Sequence, residues 1–323
     1  MKPAIALIVA LWASTACADP LWQDDLNWLK TMVFASHQTD YSGVFVYRYG
    51  NHVETSHIIH VADNDGEHAR LVGMDGPRRE IVRSNDQVWC FIGDSKIKLD
   101  GRRNGRRFPA VLPEQLSLLN ENYQIKQTEE GRVAGFHAHA VVFKPKDALR
   151  YAHRMWAHSD SGLLLKSEVL DERDRVIEQN SFIQLTIGGN NIDRSWIKAD
   201  KPEAAKLSHT EHRGPEHHAE LPANPSGWLA DVPSGFRKVA EMRRSLRDKK
   251  EPATHLVFSD GLASISIFVE ALEGGQDDRP GLTSQGAIQV YRKVSGDYML
   301  TVVGEVPPRT AMQVADSVRL GGR

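Results

Sequence analysis

Between Tyr41 and Ile92 the chain consists of short segments in which apolar and polar positions alternate. β-branched and aromatic residues fill these segments, and Gly-Asn, Asp-Gly and Asn-Asp pairs separate them. Runs of about 5 to 8 such residues between turn sequences are typical of antiparallel strands, each joined to the next by a hairpin. This stretch therefore predicts a β-meander.

The first predicted strand is apolar on both faces. Because side chains alternate along a strand, Phe45 and Tyr47 fall on one face, and Val44 and Val46 fall on the other. An antiparallel sheet that is covered by water on one side needs only one apolar face. We therefore expect one face to be packed and the other to be covered by a helix or to line a ligand cavity.

A helix is predicted just before this meander, over residues 19–37. Leu26, Leu29 and Val33 recur at spacings of three and four, which is the spacing of one helix face. We expect this helix to seal the core of the sheet rather than to bind a cofactor. A second, short helix is predicted over residues 112–120, where Pro113 lies near the start.

Strand-like segments continue to Gly188, and the count of about eleven strands fits a single large curled sheet. After Gly227, about five strands and a helix over Arg309–Leu320 predict a small second unit with an antiparallel sheet. In this unit the segment SISIFV, which begins at Ser264, predicts a half-exposed strand whose outer edge suits contact with a partner.

Chain length also favours two domains, since 323 residues exceed one typical domain. Residues between 192 and 225 are rich in Pro, Ala, His and charge and have no apolar period, as in a linker. The predicted organisation is a signal peptide over 1–18, a large domain over 19–198, a linker over 199–225 and a small domain over 226–323.

The first 18 residues have the features of a Sec signal peptide. Lys2 precedes an apolar core, and Ala16-Cys17-Ala18 supplies the small residues of a cleavage site. We expect cleavage after Ala18 and export to the periplasm. A lipoprotein anchored at Cys17 is less favoured, because Ser14 stands where a lipobox usually carries Leu.

Charge and cysteine content narrow the function classes. A formal net charge of −2 excludes a globally basic protein that coats nucleic acid. No apolar run after the leader approaches the roughly 20 residues that a membrane span needs. Removal of the leader leaves Cys90 as a single thiol, which we expect to be a buried small hydrophobe rather than a redox group.

The most concentrated charge lies in the segment DGRRNGRRF, residues 100–108. Arginines among glycines and an asparagine are typical of an exposed loop. One interpretation is a solvated surface loop. The other is a clamp for phosphate or carboxylate, because guanidinium groups bind such anions through paired donors.

Catalytic and metal motifs are absent from the sequence. It contains no G-x-S-x-G, Walker loop, G-x-G-x-x-G, H-E-x-x-H or C-x-x-C motif. The histidines His209, His212, His217 and His218 lie in the predicted linker, where a flexible tract rarely forms a preorganised metal site. We therefore predict no catalytic residues, no metal and no cofactor.

Several segments resemble the RseB/MucB family of periplasmic regulators of the envelope-stress sigma factor. In the first half these are YSGVFVYRYGNHVETSHIIH from Tyr41, the stretch from Asp65 to Leu71, MDGPRREIVR from Met74, and VWC ending at Cys90. In the second half they are HLVFSDGLASISIFVE from His255 and GDYMLTVVGEVPP from Gly296. The resemblance covers nearly the whole expected mature chain.

This resemblance implies a fold and a partner. The fold class it implies is α+β and mostly antiparallel β: a large LolA/LolB-like unclosed β-barrel with helices, and a small α/β C-terminal domain. The implied function is binding of the periplasmic part of the anti-sigma factor RseA/MucA, which shields it from DegS-type proteolysis and restrains sigma-E. Lipid or lipopolysaccharide fragments are expected to trigger release. No nucleic-acid partner is expected, and a homo-oligomer is left open.

The predicted ligand sites follow from these two lines of reasoning. Arg102, Arg103, Arg106 and Arg107 are the hypothetical phosphate ligands of a lipid head group. Phe45, Tyr47, Trp89 and Phe91 are the hypothetical lining of the acyl-chain cavity, although core packing is the simpler role for these aromatics. The alternative function is a periplasmic lipid or lipoprotein carrier of the LolA/LolB type.

Overall fold

Alternating apolar and polar residues form antiparallel strands along most of the described chain. This computed structural model describes residues 20–85, 87–93, 95–100, 108–113, 115–189, 192–195, 226–244, 251–272 and 279–321, and within these ranges it leaves out the side chains of residues 20–25 and 97–100. The leader expected at 1–18 and the linker expected at 199–225 lie outside the described residues. Both boundaries stay predictions.

The elements of the large sheet and its helices are α1 (Pro20–Gln38), β1 (Tyr41–Tyr49), β2 (His52–Asp63), β3 (Gly66–Gly73), β4 (Arg79–Ser84), β5 (Gln87–Ile92), β6 (Ser95–Asp100), α2 (Ser117–Asn122), β7 (Tyr123–Val133), β8 (Phe136–Pro145), β9 (Ala152–His158), β10 (Leu164–Leu170) and β11 (Val176–Ile187). The elements of the C-terminal part are β12 (Trp228–Leu229), β13 (Arg237–Arg244), β14 (Ala253–Ser259), β15 (Ser264–Ala271), β16 (Gly281–Gln285), β17 (Ile288–Ser295), β18 (Tyr298–Gly304), α3 (Pro308–Ser317) and β19 (Arg319–Leu320).

The large sheet consists of two meanders that meet at β1 and β11. Its eleven strands follow the order β6-β5-β4-β3-β2-β1-β11-β10-β9-β8-β7. Strands β6 and β7 form the two edges and do not pair with each other, so the sheet is unclosed. The predicted count of strands and the predicted fold class, with a separate small C-terminal domain, are confirmed.

Tight turns fix the register of the first meander. Gly50, between β1 and β2, has a φ of 51°, a left-handed conformation that glycine adopts at no steric cost. Over the nine residues of β1, cross-strand partners then run without interruption from Tyr41–His60 to Tyr49–His52. An uninterrupted register assigns every side chain of β1 and β2 to a definite face of the sheet.

The helix predicted over 19–37 is observed as α1, and it packs on one face of the large sheet. Leu29, Met32 and Ala35 are buried in the same core cluster as Phe45 and Phe182. Polar contacts hold the C-terminal end of the helix: His37 Nδ1 lies 2.9 Å from Glu67 Oε2. The buried ring of His60 also bonds the Thr39 carbonyl oxygen at 2.8 Å. We call the face that α1 covers the inner surface.

The short helix begins later than predicted. It spans Ser117–Asn122, whereas the sequence suggested 112–120. Leu112 and Leu116 are buried in the core from an irregular segment that precedes the helix. Their apolar spacing reflects this burial and does not indicate helical backbone.

The C-terminal domain is a six-stranded antiparallel sheet in the order β13-β14-β15-β18-β17-β16, with a second, two-stranded sheet of β12 and β19. Ala311, Val314 and Ala315 of α3 are buried in one cluster with Ile265 and Ile267 of β15. One helix therefore covers one face of this sheet. The predicted terminal helix is confirmed, although it ends at Ser317.

One prediction for the small domain is wrong. The segment from Ser264 forms β15, which pairs with β14 on one side and with β18 on the other. It has no free edge for a partner. The alternation of Ser and Ile reflects a central strand with its isoleucines facing α3.

Candidate binding site

The inner surface carries an aromatic cluster around β1. Phe45 is only 6% exposed, and its ring centroid lies 5.1 Å from that of Phe108 and 5.9 Å from that of Phe182. Phe108 and Phe182 are themselves 5.1 Å apart. Phe45 is thus part of the packed core. A ligand reaches this residue only where the packing between these three rings opens.

Trp89 and Phe91 lie on the opposite face of the sheet from Phe45. Cross-strand partners share a face, and Trp89 lies opposite Val82 while Phe91 lies opposite Glu80. Glu80 continues through the partners on β3 and β2 to Val44 of β1. The four residues predicted to line one cavity are therefore divided between two faces, with Phe45 and Tyr47 inside and Trp89 and Phe91 outside.

Cys90, between the two aromatics, faces the inner surface. Its partner is Ile81, and the series continues through Leu71 and Ile58 to Gly43 on β1. The thiol is free and half-buried. The expectation of a fully buried cysteine was wrong, because β5 lies near the open edge of the sheet, where fewer neighbours cover the inner surface.

Tyr47 and Glu178 link the inner surface to the small domain. The Tyr47 hydroxyl lies beside the Glu178 carboxylate, and burial together with this carboxylate raises the pKa of Tyr47. Glu178 Oε2 also accepts the backbone N–H of Ala287, in the turn between β16 and β17, at 2.9 Å. Burial raises the pKa of Glu178.

A second contact between the domains is centred on Asp260, in the turn between β14 and β15. Its Oδ2 atom accepts Nε–H of Arg150 at 2.6 Å and the hydroxyl of Tyr123 at 2.9 Å. Its Oδ1 atom accepts the backbone N–H groups of Leu262 and Ala263. Asp260 is 1% exposed, so this ion pair is buried. We call Asp260, Arg150 and Tyr123 the junction cluster.

Arg150 is satisfied from several directions. It also donates to the Asp147 carboxylate and to the Ser234 carbonyl oxygen. Its guanidinium carbon lies 4.9 Å from the centre of the Phe236 ring, a cation–π contact. Desolvation of this arginine is therefore compensated by two carboxylates, a carbonyl group and an aromatic ring. The buried pair stabilises the junction because neither charge is left without a partner.

The N-terminal end of α3 completes the junction. Arg309 Nε donates to the carbonyl oxygen of Ala148 at 2.9 Å, and Thr310 Oγ1 donates to the carbonyl oxygen of Leu149 at 3.1 Å. These acceptors belong to the connection between β8 and β9. The small domain thus contacts the large domain through the turns that contain Asp260 and Ala287 and through the N-terminal end of α3.

Sequence reasoning missed the junction cluster and Glu178. In the sequence Asp260-Gly261 has only the features of a turn, and 110 residues separate Arg150 from Asp260. No local pattern connects the two residues. The predicted phosphate ligands Arg102, Arg103, Arg106 and Arg107 lie outside the described residues. Phe108, which follows them in the chain, is buried in the aromatic cluster of the inner surface.

A pocket of about 250 Å³ lies against Trp156, Lys166 and Gln179 of the large sheet. Beside it, the buried Glu168 accepts Arg154 Nε–H at 2.6 Å and Lys166 Nζ–H at 2.7 Å. These two cations lower the pKa of Glu168 against the effect of its burial. The carboxylate is therefore saturated by structural ion pairs and leaves no free acid or base in the pocket.

The described residues contain no cluster of three or more His, Cys, Asp or Glu side chains that could hold a metal ion. Among the helices that the structure describes, none is long and apolar enough to cross a membrane. His139 contacts Trp28 of α1 edge-on at 5.8 Å, and His158 bonds Ser161 at 2.9 Å. Both histidines have packing roles.

The fold and its junction define a two-domain β-sheet binding protein. In one domain α1 covers the inner surface of an unclosed sheet, and the other domain contacts the end of that sheet. Family models agree with this class: the MucB/RseB N-terminal domain matches residues 24–201, and the MucB/RseB C-terminal domain matches residues 222–319. The chain belongs to the MucB/RseB family.

Named relatives support the assignment. The chain is 31% identical over 306 residues to the sigma factor AlgU regulatory protein MucB of Pseudomonas aeruginosa, with 92% of this chain and 91% of that protein covered. It is 27% identical over 323 residues to the sigma-E factor regulatory protein RseB of Salmonella typhimurium, with 98% and 96% covered. These relatives are named as regulatory proteins and not as enzymes.

Solved structures agree in fold. The crystal structure of MucB in complex with MucA(peri) matches with a TM-score of 0.71 at 28% sequence identity, covering 93% of this chain and all of that chain. The structure of MucB alone matches with a TM-score of 0.64 over 92% of this chain. The similarity therefore extends over both domains.

Proposed function

We propose that this protein is a periplasmic regulatory binding protein that restrains a sigma-E-type envelope-stress response. Its partner would be the periplasmic segment of an RseA/MucA-type anti-sigma factor, which it would shield from DegS-type proteolysis. The observation that carries this proposal is the match over 93% of the chain to MucB in its complex with MucA(peri). Membership of the MucB/RseB family in both domains supports it.

The binding surface proposed for the anti-sigma segment is the one that both domains share. The junction cluster and the end of α3 hold the small domain against the end of the large sheet. Strand β16 is exposed along its whole length, and its turn into β17 contacts the large sheet at Glu178. An extended or helical segment can lie along such a surface and contact both domains. In this role the protein acts by binding, without catalysis, metal or cofactor.

Lipid binding is proposed as the release signal. Burial of each methylene group contributes about 0.8 kcal/mol, whereas an exposed Arg–phosphate pair contributes about 0 to 1 kcal/mol. An acyl chain entering beside Phe45 and Tyr47 would supply affinity. Arg102, Arg103, Arg106 and Arg107 would select a phosphate-bearing head group such as that of a lipopolysaccharide fragment. Trp89 and Phe91, on the other face, have no part in this cavity.

The proposed location is the periplasm. The leader over residues 1–18 would direct export and be removed after Ala18. Two observations support this: the charged start and apolar core of the leader, and the family's solved complex with a partner designated MucA(peri). Sequencing the N-terminus of the protein isolated from the periplasm tests the boundary, and a chain beginning at Asp19 is expected.

Binding of the mature protein to a fluorescent peptide from an RseA-type periplasmic segment tests the function. We expect tight binding that lipopolysaccharide fragments reverse, because peptide and lipid compete through the two domains. A scrambled peptide of the same composition is the control. Absence of binding by the authentic peptide would overturn the proposal.

A lipid or lipoprotein carrier is the second candidate, since the inner surface of an unclosed sheet suits an acyl chain. The two candidates differ in what happens after lipid uptake. A carrier hands its lipid to an acceptor protein and ignores the peptide, whereas a regulator releases the peptide when lipid binds. Transfer of a radiolabelled lipid to a second protein in the absence of peptide binding would favour the carrier.

A further inference from the structure

Glu178 connects two parts of the molecule that the proposed function requires to communicate. It lies on β11 opposite Tyr49 of β1, at the end of the large sheet that contacts the small domain. Its carboxylate accepts the Ala287 N–H from the turn between β16 and β17 at 2.9 Å. Tyr47 lies two residues from Tyr49 on the same face of β1, which places it diagonally across from Glu178. One acidic side chain therefore contacts both the candidate lipid surface and the small domain.

The turn is seated closely against the large sheet. Gly286 has a φ of 59°, and a Cβ atom added there would lie 2.5 Å from Glu178 Oε2 and 3.1 Å from Cβ of Tyr49. Ala287, the next residue, is 1% exposed. A larger side chain at position 286 would therefore displace the Glu178 carboxylate, the turn or both, and would strain the left-handed backbone.

The two polar contacts between the domains differ in how their charge is balanced. Asp260 is neutralised by the buried Arg150. Among the residues that the structure describes, Glu178 forms no ion pair, and its polar neighbours there are two neutral groups, the Ala287 N–H and the Tyr47 hydroxyl. A half-buried carboxylate without a cation partner holds its neighbours less firmly than a buried carboxylate that keeps one. The Asp260 contact is thus held by a buried ion pair, whereas the Glu178 contact can break when one of its neutral neighbours moves.

Tyr47 is the residue through which the inner surface acts on this contact. It follows Phe45 by two positions on the same face of β1, so an apolar chain that passes Phe45 next meets the Tyr47 ring. Displacement of that ring removes the hydroxyl from Glu178. The carboxylate then takes up water in place of the hydroxyl, and this weakens its hold on the Ala287 turn.

We propose that Glu178 is a positioning residue that couples occupancy of the inner surface to the seating of the β16–β17 turn. The proposal deepens the proposed function and rests on it for the biological meaning of the movement. The seating itself is a property of the free protein. The two can be tested separately.

The seating is measured as a distance between nitroxide labels at Asn51→Cys, beside the β1–β2 turn, and Thr283→Cys, on β16, in a Cys90→Ser background. Both label sites are exposed. We expect one narrow distance distribution for the unliganded protein. Dodecyl phosphate, a single-chain anionic amphiphile, should broaden it and lengthen the mean distance by several ångströms.

Variants distinguish a specific role of Glu178 in seating the turn from a general loss of stability. Glu178→Ala and Gly286→Ala should give the broad distribution without amphiphile, and Tyr47→Phe should shift toward it. Glu178→Gln keeps an acceptor for both donors and should restore the narrow distribution. Glu172→Ala is the matched control, since that carboxylate also bonds the small domain, at Arg309, but is 62% exposed. It should behave as the unsubstituted protein.

Two results would contradict the proposed role of Glu178, and a separate binding measurement tests the proposed function. Narrow distributions in both Glu178→Ala and Gly286→Ala would show that Glu178 does not seat the turn. If dodecyl phosphate leaves the distance distribution of the unsubstituted protein unchanged, occupancy of the inner surface does not control the seating of the turn. In a parallel arm, peptide binding should weaken about tenfold in Glu178→Ala and not in Glu178→Gln. If no form binds the peptide, the proposed function fails while the distances still decide the role of Glu178.

Discussion

His255 shows how a single buried residue makes this protein sensitive to acid. It is 6% exposed, and its ring stacks on Phe268 with centroids 4.1 Å apart. Neither ring nitrogen has a hydrogen-bond partner among the described residues. Burial, aided by the nearby Arg244, lowers the pKa of His255 from 6.5 to about 4. The folded protein therefore holds this imidazole neutral.

The sign of the pH effect follows from this lowered pKa. Between about pH 6.5 and 4 the unfolded chain binds a proton at this position and the folded chain does not, so folding loses stability as the pH falls. From about pH 7.5 to about pH 5 the loss amounts to roughly 2 kcal/mol. Above that window the contribution of His255 is constant.

His255→Phe keeps the aromatic stack and removes the titration. We expect the free energy of unfolding of this variant to fall by roughly 2 kcal/mol less than that of the unsubstituted protein over the same acidification. Urea unfolding at both pH values measures the difference. Phe258→Leu, a substitution of a non-titrating buried aromatic in the same sheet, is the control and should lose as much stability on acidification as the unsubstituted protein. Equal losses in His255→Phe and the unsubstituted protein would contradict the argument.

At the level of elements, the alternation of apolar and polar residues predicts the strands well. It does not predict which face of the sheet each side chain lies on. The meander from Tyr41 and the helix before it were predictable because apolar spacing matches one secondary structure at a time. Phe91 was assigned to the wrong face because β5 is apolar on both sides. Its face depends on the register of four consecutive hairpins, and one extra residue in any turn would reverse it.

The connection between β6 and α2 contains the arginines proposed to bind phosphate. Replacing Arg102, Arg103, Arg106 and Arg107 together by Ser should weaken binding of dodecyl phosphate about tenfold and reduce its salt dependence, because four exposed ion pairs contribute a few tenths of a kcal/mol each. The melting temperature should stay nearly unchanged. Titration at two salt concentrations and thermal unfolding measure these effects.

A matched variant tests whether position matters or only charge. Lys30, Arg48, Lys144 and Arg173 are exposed cations of the large domain, and their joint replacement by Ser removes the same amount of charge. Binding by this control should be close to that of the unsubstituted protein. Equal weakening in both variants would show that general electrostatic attraction, and not a clamp, binds the head group.

At the scale of the whole molecule, the junction cluster makes the two domains depend on each other. Asp260→Ala would leave the Tyr123 hydroxyl buried without its acceptor and would remove from Arg150 its fully buried carboxylate partner, leaving Asp147 and the Ser234 carbonyl oxygen. Removing one partner of a buried ion pair costs about 3–5 kcal/mol. We expect calorimetry to show one unfolding transition for the unsubstituted protein and two for Asp260→Ala, because the domains would then unfold independently.

Asp316→Ala is the comparison for that experiment. Asp316 pairs with Lys293 at 2.6 Å within the small domain, and its side chain is 60% exposed. An exposed pair contributes about 0 to 1 kcal/mol, so this variant should keep a single transition near the original temperature. Two transitions in both variants, or one in both, would remove Asp260 as the residue that joins the domains.

The junction also marks where prediction from the sequence ends. Two units and their strands could be predicted, since each follows from local spacing and turn residues. The partners of Asp260 and Glu178 lie 110 and 109 residues away in the chain, and nothing local indicates them. Long-range polar contacts of this kind depend on how the two folded domains pack against each other.

The half-buried thiol of Cys90 gives this protein a natural site for attaching a fluorescent dye. The chain has two cysteines, and the proposed removal of residues 1–18 would leave only Cys90, which faces the inner surface near the open edge of the sheet. An environment-sensitive dye attached there needs no engineered site. The emission wavelength of the dye would shift as an acyl chain displaces water from the inner surface. Ligands can therefore be screened by fluorescence on the otherwise unaltered chain.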